Sequence, residues 1–129
     1  MAHAVVAVPA VLAATVLTSV LLAPTAEAAG ASHGCAYGAV CVYPQDAGWN
    51  HDRPSASYWS YGPHNLSHQY GTHRIFNNQY GGALVEACYG FDGRGGGTLL
   101  LGTGVATDYG LTPVNSLVLL PRNGTGCRR

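Results

Sequence analysis

From residue 4 to residue 22 the chain is an almost unbroken run of Ala, Val and Leu, and after Pro24 no apolar stretch repeats at three-and-four spacing. Helix signals are therefore nearly absent beyond the leader, and Gly or Pro interrupts almost every ten residues. Strand signals recur instead. The segments 39–43, 74–76, 83–89, 98–101 and 116–120 are short, apolar or β-branched, and bounded by Gly, Pro, Asn or Asp. Strands of that length at that spacing predict an all-β, antiparallel sandwich or small barrel.

The pattern runs twice. Gly38-Ala39-Val40-Cys41-Val42-Tyr43 opens a first pass that closes with Tyr70-Gly71-Thr72-His73-Arg74-Ile75-Phe76. Gly82-Ala83-Leu84-Val85-Glu86-Ala87-Cys88-Tyr89 opens a second, which closes with Tyr109-Gly110 and the apolar segment after it. A repeat of about 40 residues usually marks one supersecondary unit built twice, because neither copy buries its apolar face alone. The approximate units are 35–78 and 82–120, joined by a turn at Asn77-Asn78-Gln79-Tyr80-Gly81-Gly82. Between the two closing motifs, Asp92-Gly93-Arg94-Gly95-Gly96-Gly97 reads as a flexible hairpin tip. The segment 50–72 is polar and rich in aromatics and histidines; it reads as a long connection whose aromatics cap the core, or alternatively as a binding loop.

The leader has the layout of a secretory signal peptide, with Ala26-Glu27-Ala28 offering small residues around a cut, although no Lys or Arg precedes the apolar core. Removal of 1–28 would leave 29–129 as a single domain, secreted to the extracellular space and with no stable insertion in a membrane. A domain that small gains from covalent ties, and Cys35, Cys41, Cys88 and Cys127 are even in number and all lie beyond the leader. Three pairings are open; we take Cys35 with Cys41 and Cys88 with Cys127, each bridge adding roughly 2–4 kcal/mol. A four-cysteine zinc site is disfavoured because no Cys-x-x-Cys spacing exists. Beyond residue 28, six arginines and no lysine face five acids, Asp46, Asp52, Glu86, Asp92 and Asp108. Only Arg128 and Arg129 adjoin, so no cation cluster points to nucleic acid.

The entrance Cys35-Ala36-Tyr37-Gly38-Ala39-Val40-Cys41-Val42-Tyr43 resembles that of the small secreted actinomycete peptidase inhibitors, whose founding member is a metalloproteinase inhibitor with a βγ-crystallin-like fold. Arg74-Ile75-Phe76-Asn77-Asn78 and Val114-Asn115-Ser116-Leu117-Val118 match in rhythm. The resemblance implies a βγ-crystallin-like Greek-key β-sandwich of two pseudo-repeated units, disulfide-bonded and monomeric, whose partner is a secreted protease. The implied contact loop is Tyr89, Gly90, Phe91, Asp92, Gly93 and Arg94, carrying aromatic and arginine anchors. The chain departs from the founding inhibitor, which closes a short second-half loop with a disulfide; one cysteine and a glycine run stand there instead, which predicts a loose loop. A crystallin-type calcium site is the implied alternative, in a non-inhibitory structural or cell-surface module, but 111–116 keeps only the final serine, Ser116, of its pattern.

A further alternative is a histidine-based metal binder built from His51, His64, His68 and His73. The spacing of four between His64 and His68 unites ligands only on a helix, and none is predicted. No Gly-x-Ser-x-Gly elbow, no free nucleophilic cysteine and no paired acids in an apolar context occur, so neither an enzyme nor a cofactor is expected.

Overall fold

The structure, a computed structural model, describes residues 2–16 and 30–129. Residues 2–16 carry no helix or strand, and Val5, Val8 and Leu12 are exposed. The proposed cleavage triplet Ala26-Glu27-Ala28 lies outside the described residues. No helix among them is long and apolar enough to cross a membrane.

Among the described residues, eight strands make up the body: β1 (Val40–Val42), β2 (Ala56–Tyr58), β3 (Gly62–Asn65), β4 (Thr72–Asn77), β5 (Leu84–Cys88), β6 (Gly97–Leu101), β7 (Ala106–Gly110) and β8 (Ser116–Leu120). They form two four-stranded antiparallel sheets, ordered β2-β1-β4-β7 and β3-β8-β5-β6. Both sheets follow one rule. A central pair is flanked on one side by a hairpin partner and on the other by a strand from the opposite half of the chain.

Period-two alternation explains the layers. Val40, Val42 and Ile75 of one sheet and Val85, Ala87, Leu101, Leu117 and Leu119 of the other share one core, closed at the loops by Leu66, Leu111 and Val114. Burying a Leu such as Leu117 fully contributes roughly 1.5–3 kcal/mol. Each sheet also covers its outer face. Over the first, Cys41, Tyr43 and Phe76 pack with Cys35 and Trp49, and the His33 ring stacks on Trp49 at 3.7 Å. Over the second, Cys88, Val118 and Leu120 pack with Leu84 and Cys127. The Cys35–Cys41 and Cys88–Cys127 disulfides, paired as the spacing suggested, thus fasten one terminal segment to each sheet. Two such bridges fit an oxidising, extracellular environment.

Three expectations change. The segment 50–72 holds two strands, β2 and β3, rather than one connection, because both serve as sheet edges with only one face covered. The turn expected over residues 77–82 is confined to 80–82, and Asn77, Asn78 and Gln79 ahead of it are buried. Asn77 donates to the carbonyls of Ala83 and Leu101 and accepts from the Gln79 amide and side chain, so each buried polar group is matched. Asn78 donates to the Gly30 and Cys35 carbonyls and so ties the N-terminal segment to the end of β4. The third change concerns the glycine-rich hairpin.

Candidate functional site

The 89–96 segment joins β5 to β6 as the sequence predicts, but it is not a loose tip. A single 3-10 turn, Phe91–Gly93, closes it: the Gly90 amide donates to the Arg94 carbonyl at 2.8 Å and the Arg94 amide to the Phe91 carbonyl at 3.1 Å. Asp92 sits at φ 56°, a left-handed conformation that Asp tolerates when its side chain is held locally. Asn65 holds it, accepting from the Asp92 amide at 2.7 Å and donating to the Asp92 carboxylate at 2.9 Å. Gly95, at φ 81°, could carry no side chain, since its Cβ would stand 2.7 Å from the Gly90 nitrogen.

Two more segments grip the loop from behind, the start of β8 and the C-terminal tail. The buried Ser116 hydroxyl accepts from the Gly93 amide at 3.0 Å and donates to the Gly90 carbonyl at 2.6 Å. Asn115 donates from its side chain to the Tyr89 carbonyl at 2.6 Å, and from its backbone to Cys88 at 3.0 Å. The C-terminal tail runs alongside: the Arg128 amide donates to the Gly93 carbonyl and its carbonyl accepts from Gly96, at 2.7 and 3.0 Å. The tail is itself fixed by the Cys88–Cys127 bridge and by Glu86, whose carboxylate accepts from the Cys127 amide at 2.7 Å. The glycine run is therefore a route for neighbouring backbone rather than a flexible spacer, and the expected looseness is corrected. A disulfide outside the loop does the fastening that one across it would have done.

What remains outward is side chain. Tyr89, Phe91 and Arg94 are exposed while Gly93 is buried. Beside Phe91 lies a cleft of about 370 Å³ walled by Leu66, His68, Tyr70 and Thr112. On the other flank Arg94 meets Arg128 and Arg129 around a small recess, a grouping of cations that separation along the chain hides.

The candidate ligands do not gather. His64 bonds the Ser60 carbonyl, His68 the Ser67 hydroxyl, and the buried His73 the Tyr43 and Tyr70 carbonyls, while His51 is exposed. Among the described residues no three His, Cys, Asp or Glu side chains come together in a way that could hold a metal ion. The acids are committed elsewhere as well. Asp52 meets His33, Asp92 meets Asn65, and Asp108 receives the Arg74 guanidinium through two bonds of 2.8 and 3.0 Å. That guanidinium also lies 4.6 Å over the Trp49 ring and holds the Asp108 carboxyl below its usual range through its hydrogen bond. Asp46 borders a small hollow that it shares with Arg74 and Asp108, and the Arg74 cation already serves it. No protein-family model matches the chain, and no curated protein or solved structure is significantly similar to it.

Proposed function

We propose that this is a secreted, βγ-crystallin-like domain that binds another protein through the 89–94 loop, as an inhibitor of an extracellular metalloprotease. The exchange of β3 and β7 between halves supports the fold side of this reading, since two interlocked Greek keys are built that way.

The loop carries the functional side. Its backbone is hydrogen-bonded to β3, to the start of β8 and to the C-terminal tail, while Tyr89 and Phe91 remain 47% and 54% exposed. Ordering a loop on binding opposes affinity, so a loop already ordered with aromatic and arginine side chains projecting is the form an inhibitor requires. Such a loop enters a protease cleft as a substrate would, but its fixed carbonyls resist the movement that cleavage demands.

The test is titration of a panel of secreted metallo- and serine proteases with the oxidised protein, followed by mass spectrometry of 89–97. Stoichiometric inhibition of a thermolysin-type enzyme with the loop intact, weakened at least tenfold by Phe91→Ala, is the expected result. No inhibition at micromolar concentration would refute the inhibitor reading.

A further inference from the structure

The first sheet brings a second surface together at the opposite end of β8 from the loop. Val40, Tyr58 and Asn77 are register neighbours where β1 begins and β2 and β4 end. The residues just outside that line, Tyr37, Trp59, Tyr61 and Tyr80, therefore emerge side by side. β3 fixes the direction, because Gly62 pairs with Leu119 at the end of β8 whereas Asn65 pairs with Ser116 beneath the loop. The four aromatics are between 51% and 58% exposed, which is uneconomical for side chains that could serve the core.

They form a platform rather than scattered exposures. The Tyr37 and Tyr80 rings lie 5.1 Å apart, and Trp59, Tyr61 and Tyr80 line a groove of about 110 Å³ with Gly38 and Gln79. Gly38 keeps the floor low: a Cβ there would come 3.2 Å from the Tyr80 ring and 3.8 Å from Trp59. The floor is also stiff. Gly38 donates to the Asn78 carbonyl at 2.8 Å, Asn78 donates to Ala39 at 2.9 Å, and the Cys35–Cys41 bridge brackets both.

We propose that this platform binds a neutral polysaccharide. No residue lining the groove bears a formal charge, which matches an uncharged ligand and gives an acidic or basic partner nothing to pair with. An aromatic face carries partial negative charge, and the C–H face of a pyranose is apolar and weakly positive, so sugar rings stack on such surfaces. Tyrosine hydroxyls at ring edges suit the hydroxyl rim of a sugar, and a rigid platform loses little entropy on binding. Because platform and loop sit at opposite ends, a glycan-bound molecule keeps its loop free.

The experiment retains the oxidised protein on insoluble chitin, cellulose and xylan, and follows tryptophan fluorescence with soluble oligosaccharides of each. Retention on at least one, little affected by salt, is expected. Trp59→Ala and Tyr80→Ala should each weaken it about tenfold, and Phe91→Ala should leave it unchanged. Thermal melts of each variant separate lost binding from lost folding. No retention on any of the three glycans, retention unaffected by Trp59→Ala, or self-association that Trp59→Ala abolishes would each overturn the proposal.

Discussion

Ser116→Ala isolates the rigidity of the loop from its side chains. The hydroxyl is fully buried and bonds two backbone groups at once, the Gly93 amide and the Gly90 carbonyl. Removing it leaves the amide of a buried residue without a partner and frees a carbonyl that is only half covered. A buried unsatisfied group costs about 1–3 kcal/mol, and the half-exposed carbonyl can recruit water, so the sum is about 2–3 kcal/mol. For a domain of this size that lowers the melting temperature by roughly 10–20 °C. The assay is urea unfolding of the oxidised variant, paired with amide exchange at Gly93. Exchange there should accelerate more than at Val85, a core residue of β5, because the loop loses a direct bond while the strand loses only its share of global stability. A loss under 0.5 kcal/mol with Gly93 exchange unchanged would refute the claim that Ser116 organises the loop.

The remaining predictions use other elements. Asn77→Leu removes a fully buried amide that meets four backbone and side-chain groups, and urea unfolding should register a loss of about 3 kcal/mol or more. The Cys88–Cys127 bridge closes a separation of 39 residues and the Cys35–Cys41 bridge one of 6, so chain entropy assigns about 4 and about 2.4 kcal/mol to them. Unfolding of the Cys→Ala pairs should rank them in that order, and 88/127 alone should expose the 89–97 loop to proteolysis. Burial, and secondarily Asp52, pushes Tyr43 up to about 12 while its hydroxyl donates to the His33 carbonyl. Its neutral form is favoured by folding, so the contribution is complete below about pH 10 and is lost as pH rises towards 12. Absorbance titration of the eight tyrosines should show one that ionises last, and Tyr43→Phe should remove that step.

What the sequence reveals tracks how a strand is buried. The strands β1, β4, β5 and β8 are central in their sheets and covered on both sides, so they read as apolar runs. Of the four edge strands, only β6, with Leu99, Leu100 and Leu101, is apolar enough to be read; β2, β3 and β7 are polar, short and half covered. The loop shows the same limit at the level of the site. Its position and anchors follow from local sequence, but its rigidity comes from Asn65 and Ser116, which are 27 and 23 residues from their partners in it. Nothing in the glycine run announces them. Ser116 did stand out as a remnant of a calcium pattern, and its hydroxyl proves to be spent on loop backbone.

The exchange of edge strands bears on how an exposed loop survives among proteases. Because β7 belongs to the sheet of the first half and β3 to that of the second, opening either half strips an edge from the other. Most packing joins residues distant in sequence, which favours one cooperative transition over local fraying. When opening and closing outpace cleavage, degradation follows the population of the open state, and here that state for the 89–96 backbone approaches the globally unfolded one. The tail adds to this through Arg128, since releasing the loop also breaks its pairing with Gly93 and Gly96 against a disulfide-held partner. A loop carried on a freely fraying hairpin would be cut by a protease; one tied to the second sheet through β8, β3 and the disulfide-held tail can be bound without being opened.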